Sequence, residues 1–116
     1  MNLLFVEATR FTERILEFRA DDNLRKLQEL LCQNPETGDV IQGTGGCRKI
    51  RMGLEGRGKR GGCRIIYLHV KSAARIYFLY LYPKNEAVDL TAAQKKALKQ
   101  IAQNIYEESK KNPSVN

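Results

Sequence analysis

The basic side chains in the middle of the sequence are the residues best suited to chemistry. The chain of 116 residues carries a formal net charge of +7, and residues 48–64 alone contribute +6 of it. Seven bases stand there against the single acid Glu55: Arg48, Lys49, Arg51, Arg57, Lys59, Arg60 and Arg64. A solvated face would interleave both signs, so this concentration predicts a polyanionic partner such as nucleic acid.

Cations of this kind can cleave RNA as well as bind it. RNA carries its own nucleophile, the 2′-hydroxyl, so a protein need only align it, help remove its proton, stabilise the phosphorane and protonate the 5′-oxygen. Arginine suits bidentate phosphate binding, and a lysine crowded by other cations has a lowered pKa that fits it for proton transfer. The residue types alone leave both roles open, binding without turnover and cleavage.

Several other catalytic arrangements are excluded. His69 is the one histidine, so the paired imidazoles of a pancreatic-type ribonuclease are absent, and its place in a strand pattern favours a structural role. The sequence contains no HExxH, GxSxG or Walker motif. Cys32, Cys47 and Cys63 form no CxxC pair, which predicts free thiols rather than a disulfide framework or a structural zinc site.

The hydrophobic pattern predicts a single α+β domain over residues 1–116, with the order β-α-α-β-β-β-α. Strands are predicted at residues 3–6, 47–52, 63–70 and 75–82, two helices follow the first strand, and a capping-box pattern at Thr91 and Gln94 begins the last helix. The tail after residue 108 is expected to fray. Three late strands favour a mostly antiparallel meander, with the opening strand added after a helical crossover and the helices packed against the sheet.

The predicted strand at residues 47–52 decides which cations stand together. Alternation places Lys49 and Arg51 on one side, and Arg48, Ile50 and Met52 on the other. The glycine-rich residues 53–62 predict an exposed, mobile basic loop that joins two strands.

The location of the protein is expected to be cytoplasmic. No apolar run approaches the roughly 20 residues that a membrane span requires, and the N-terminus lacks the pattern of a signal peptide.

In combination, these motifs resemble the HigB-like branch of the RelE toxin superfamily. The likeness covers nearly the whole chain and includes FVE at 5–7, NP at 34–35, GDVIQGTGG at 38–46, GGCRKIR at 45–51, GKRGGCRIIY at 58–67, YPKNE at 82–86 and DL at 89–90. It implies a microbial RNase-like RelE fold and an mRNA interferase, an endoribonuclease that cuts mRNA in the ribosomal A site and so inhibits translation. It implies no metal and no other cofactor.

The resemblance also implies partners and site residues. The partners are mRNA, the ribosome and a cognate antitoxin, commonly with a helix-turn-helix DNA-binding domain. Operator DNA would be bound only through that antitoxin. Carried over by position, Lys49 and Arg51 serve proton transfer and backbone binding, Arg64 stabilises the phosphorane, and Lys84 contacts the leaving group or a phosphate. The expected RNA-binding residues around them are Arg48, Arg57, Lys59 and Arg60.

The sequence departs from this family pattern after the last strand. Many RelE-type toxins place a tyrosine or histidine there, whereas this chain has KNEAVD at residues 84–89, so the general acid and base stay open. Glu86 and Asp89 suit either catalysis or ion pairing and capping. Tyr67, Tyr80 and Tyr82 suit base stacking, although aromatics in alternating strands are typical of a core.

Two other functions are compatible with the same residues. One is a non-catalytic RNA- or ribosome-binding module that uses the basic surface, and the other is a degenerate toxin that still binds an antitoxin or operon DNA. Both binding and cleavage predict sensitivity to salt, but cleavage alone produces new RNA ends.

Overall fold

A computed structural model of the chain describes residues 2–54, 58–84 and 89–111, and for residues 58–61 it describes the backbone alone. The elements are β1 (Leu4–Glu7), α1 (Thr9–Glu17), α2 (Asp21–Gln33), β2 (Asp39–Val40), β3 (Arg48–Leu54), β4 (Gly58–Val70), a 3₁₀ turn (Lys71–Ala73), β5 (Arg75–Pro83) and α3 (Ala92–Lys111). The predicted α+β class and element order are confirmed. The short strand β2 is an addition, and α3 extends beyond residue 108, where fraying was expected.

In the described part of the chain the strands form one five-stranded sheet with the order β1-β5-β4-β3-β2. The antiparallel meander β3-β4-β5 is confirmed, and β1 pairs in parallel with β5, with Leu4 opposite Arg75. A parallel pair requires a crossover connection, and here the chain between β1 and β5 includes both early helices. At the other edge β2 pairs with β3, which puts Asp39 opposite Lys49.

The prediction of a loop over residues 53–62 is wrong at both of its ends. Strand β3 continues to Leu54 and β4 begins at Gly58, while residues 55–57 lie outside the described chain. Gly62 allows the backbones of β3 and β4 to pack closely, because a Cβ at this position would overlap the carbonyl oxygen of Met52. Glycine in a strand often marks such a close backbone approach, which composition alone does not distinguish from a flexible loop.

The sheet carries a hydrophobic core on each face. Against one face pack α1 and α2, where Phe11 stacks on Phe78 with ring centroids 5.0 Å apart. Against the other face α3 packs with Leu98 and Ala102. Helix α3 begins at the predicted capping box: Thr91 Oγ1 accepts from the Gln94 N–H at 3.1 Å, and Gln94 Oε1 accepts from the Thr91 N–H at 2.9 Å.

A buried tyrosine fixes the connection between α2 and β2. The Tyr67 hydroxyl donates to the carbonyl oxygen of Pro35 at 2.9 Å and accepts from the backbone N–H of Gly38 at 2.9 Å. Burial raises the pKa of Tyr67, so it holds both bonds as a neutral phenol at ordinary pH. The connection is thereby held against β4, beside the predicted basic residues.

Two further predictions concern cysteines and membranes. Cys32, Cys47 and Cys63 are free thiols, as predicted. Among the described helices, none is long and apolar enough to cross a membrane.

Candidate nucleic-acid interface

Three of the predicted catalytic cations lie together on the sheet face that α3 covers in part. Arg51 of β3 is directly opposite Arg64 of β4, and Arg64 is opposite Tyr82 of β5. Lys49 lies two residues from Arg51 on the same strand and therefore on the same face. The prediction that Lys49 and Arg51 share a face is confirmed. We refer to Lys49, Arg51 and Arg64 as the basic row.

The basic row is electrostatically unfavourable in the protein alone. Like charges directly opposite one another on paired strands destabilise a sheet, and Arg51 and Arg64 are such a pair. Within the described residues, none of the three cations forms an ion pair. Arg64 is half-buried, and its Nη1 is buried without a hydrogen-bond partner among the described residues. An anion bound near these three cations would offset their mutual repulsion.

An open cleft of about 490 Å³ lies over the basic row. Its lining residues are Thr37, Gly38, Asp39, Lys49, Ile50, Arg51 and Arg64. One wall is therefore the connection that the Tyr67 hydroxyl holds in place at Gly38. Lys49, Arg51 and Arg64 line the cleft from the sheet, so their N–H groups are the donors that a phosphate in the cleft would meet.

A second, smaller depression of about 150 Å³ adjoins the cleft, because Lys49 lines both. Its other lining residues are Ile41, Tyr82, Asp89, Leu90 and Lys95. Tyr82 is 4% exposed, and burial raises its pKa, a shift that the positive charge of Arg64 opposes and the carboxylate of Asp89 reinforces. A proton-bearing phenol, a carboxylate and two lysines thus surround one small space.

Sequence reasoning missed Lys95 of the second depression. No motif near the basic segment indicates it, because the packing of α3 on the sheet brings it to Lys49. Asp89, which the sequence left between catalysis and capping, also lies beside Lys49 in this depression.

The remaining predicted residues lie elsewhere or outside the described side chains. Lys84 follows β5 with an exposed side chain, and its backbone N–H donates to the Gly62 carbonyl at 3.2 Å. Arg48 is opposite Tyr67, and its Nη1 donates to the carbonyl oxygens of Glu36 at 3.1 Å and Gly38 at 2.7 Å. Arg48 thus holds the connection between α2 and β2, which forms one wall of the cleft. Its RNA-binding role stays a prediction.

Three further residues predicted to bind RNA can be placed only in part. Lys59 and Arg60 belong to β4, but their side chains lie outside the described structure. Arg57 lies outside the described residues altogether.

Comparison with known proteins decides the family. A model of the family described as "RelE toxin of RelE / RelB toxin-antitoxin system" matches residues 21–114. The chain belongs to the RelE toxin family. The crystal structure of the isolated E. coli RelE toxin is similar to this RelE-family chain with a TM-score of 0.50 at 17% sequence identity, over 86% of this chain and 99% of that one. The family resemblance and the predicted RelE fold are confirmed.

Proposed function

We propose that this RelE-family toxin is an endoribonuclease that cuts mRNA in the ribosomal A site and thereby inhibits translation. The observation that carries the proposal is the basic row, in which Arg51 and Arg64 face each other across paired strands beside Lys49 with no ion pair to a described residue. The protein tolerates this repulsion in the free state, and a phosphodiester in the cleft relieves it. Family membership supports the toxin activity itself.

The proposed chemistry is transesterification by the 2′-hydroxyl of the RNA. The oxygen attacks the adjacent phosphorus, its proton leaves, and the bond to the 5′-oxygen breaks as that oxygen gains a proton. Arg64, which is half-buried and lines the cleft, stabilises the phosphorane with its guanidinium charge, while Lys49 and Arg51 bind the backbone and take part in proton transfer. Lys84 contacts the leaving group or the next phosphate. Fixed cations supply the positive charge, so the reaction proposed here uses no metal or other cofactor.

The second depression adds two candidates for the proton transfers. The Tyr82 hydroxyl and the Asp89 carboxyl group lie in the same depression as Lys49, and both are groups that can exchange a proton with a reacting oxygen. Tyr82 and Asp89 therefore join Lys49 as candidates for the general acid and the general base of the proposed site.

The proposal includes partners. The family description names a toxin–antitoxin system, which supports a cognate antitoxin that silences this chain. We extend this to an antitoxin with a helix-turn-helix DNA-binding domain, through which the complex reaches operator DNA. The toxin acts in the cytoplasm, where it meets mRNA on translating ribosomes.

The test is a cell-free translation reaction with a defined message, in which RNA 5′ ends are mapped by primer extension with and without ribosomes. The proposal predicts new ends that require ribosomes. Arg64→Ala should lower the cleavage rate by about a hundredfold or more, since a transition-state charge contact is worth ~3 kcal/mol. Arg75→Ala, an arginine of the same sheet opposite Val70 and Leu4, is the matched control and should retain activity.

Two results would contradict the proposal. Translation arrested over an intact message would support the non-catalytic RNA- or ribosome-binding module. An Arg64→Ala variant that melts like the wild type and cuts at full rate would remove Arg64 from the site.

A further inference from the structure

One exposed aromatic side chain adjoins the basic row. Of the three tyrosines that the sequence offers for base stacking, Tyr67 is 0% exposed and Tyr82 is 4% exposed, whereas Tyr80 is 38% exposed. The first is committed to the fold through its hydroxyl, and the second lies in the core beneath α3. Tyr80 is therefore the only one of the three whose ring is substantially open to solvent.

A β-bulge places Tyr80 on the face of the basic row. Ile66 pairs with Tyr80 and the next residue of β4, Tyr67, pairs with Phe78, so Leu79 is an extra residue in β5. Phe78 packs in the core beneath α1 and α2, and unbroken alternation would send Tyr80 to that same face. The bulge reverses the alternation, and the rings of Tyr80 and Tyr82 lie 5.9 Å apart at 40°. Bulges that re-aim a side chain are common beside active sites.

The register places Tyr80 within one nucleotide of the basic row. Arg64 is opposite Tyr82, so Tyr80 is its diagonal neighbour across β4 and β5, at a spacing of about 7–8 Å. A phosphate bound at Arg51 and Arg64 has its own nucleotide's base within this range. Base recognition in single-stranded RNA commonly uses an exposed aromatic face beside a cationic track.

We propose that Tyr80 binds the RNA substrate by stacking its ring on an unpaired base of the nucleotide whose phosphate lies on the basic row. The inference rests on the proposed function and deepens it by naming the substrate form: a single-stranded segment with a base turned out of any helix. Stacking uses the face of the base, so this contact tolerates all four bases, and the hydroxyl of Tyr80 is dispensable.

The first test compares three substitutions in the translation-coupled cleavage assay. Tyr80→Phe keeps the ring and should cut like the wild type, while Tyr80→Ala and Tyr80→Leu should both lose roughly 5- to 100-fold in cleavage efficiency. Tyr80→Leu separates stacking from simple packing, because leucine retains apolar bulk without a π-face. Thermal unfolding of each variant shows that the fold is kept.

The second test uses fluorescence, because the chain contains no tryptophan. Tyr80→Trp introduces a single reporter, and a 2′-O-methyl RNA oligonucleotide, which cannot be cut by 2′-hydroxyl attack, should quench it. The same oligonucleotide with abasic sugars should not. The matched control is Leu16→Trp, at a 64% exposed position on α1, and neither oligonucleotide should quench it.

Each other outcome overturns the inference or separates it from the proposed function. Full activity in Tyr80→Leu would assign the ring to packing against Tyr82. If all three variants cleave at the full rate but the antitoxin no longer neutralises them, Tyr80 is a contact residue for the antitoxin instead. If the wild type makes no new RNA ends, the proposed function fails, and the fluorescence test then decides whether Tyr80 stacks on a base. Quenching by the intact oligonucleotide but not by the abasic one supports stacking. The same fluorescence spectrum with both oligonucleotides refutes it.

Discussion

Replacing Arg64 by methionine should stabilise the protein while it removes activity. Methionine keeps the apolar stem of the side chain but removes the charge opposite Arg51 and the buried nitrogen that has no partner among the described residues. A like-charged cross-strand pair costs about 0.2–1 kcal/mol, and an unsatisfied buried donor costs about 1–3 kcal/mol. After allowance for imperfect packing of the new side chain, the free energy of unfolding should rise by about 1–2 kcal/mol.

Urea and thermal unfolding measure this gain. For a domain of this size, about 1–2 kcal/mol corresponds to a rise in Tm of roughly 3–10 °C. Salt screens the repulsion but not the desolvation of the unpaired nitrogen, so the difference between variant and wild type should shrink from 0.05 to 0.5 M NaCl, roughly, without vanishing. The same variant should be inactive in the cleavage assay, so stability and activity move in opposite directions.

Arg75→Met is the matched control, because Arg75 is opposite the apolar residues Val70 and Leu4 and faces no cation across the strands. It should show no gain in stability and no salt-dependent difference of the kind expected at Arg64. An Arg64→Met variant that is less stable than the wild type at every salt concentration would refute the account of the basic row as a strained anion site.

Three further predictions concern the frame of the site. Tyr67→Phe removes a hydroxyl that joins two backbone groups, and urea unfolding should show a loss of about 1–3 kcal/mol, whereas an unchanged midpoint would mean that water replaces it. Gly62→Ala forces a Cβ into the Met52 carbonyl oxygen and should cost more than about 2 kcal/mol, which a normal Tm would contradict. Burial lowers the pKa of His69, so the unfolded chain takes up this proton first and stability falls as pH drops below about 6.5. The loss of Tm between about pH 7.5 and 5.5 should be smaller in His69→Gln, and equal losses would exclude this histidine as a cause.

Part of the site follows from strand alternation alone. Lys49 and Arg51 are two residues apart in a strand pattern, and this spacing suffices to put them on one face. Placing Arg64 beside this pair requires the register of β4 against β3. The sequence does not reveal that register, because the glycine-rich segment has the composition of a loop. The close approach of Gly62 to Met52 shows why: the glycines permit two backbones to pack together.

Other features required the tertiary structure. Alternation cannot anticipate the extra residue Leu79 in β5, which moves Tyr80 from one face of the sheet to the other. Lys95 reaches the site through the packing of α3, and the two residues of β2 are too few to show a period. Arg48 was grouped with the other cations by its charge, although its side chain bonds backbone carbonyl groups.

The parallel pairing of β1 with β5 has a consequence for the synthesis of this toxin. Among the described strands β1 is made before all others and its partner β5 after all others, so β1 stays unpaired while the strands between them are made. Non-local pairs of this kind form late because the intervening chain must be ordered before the contact is gained. The strand that carries Tyr80 and Tyr82 is that same late partner. A nascent chain therefore lacks both a closed sheet and the complete proposed site for most of its synthesis.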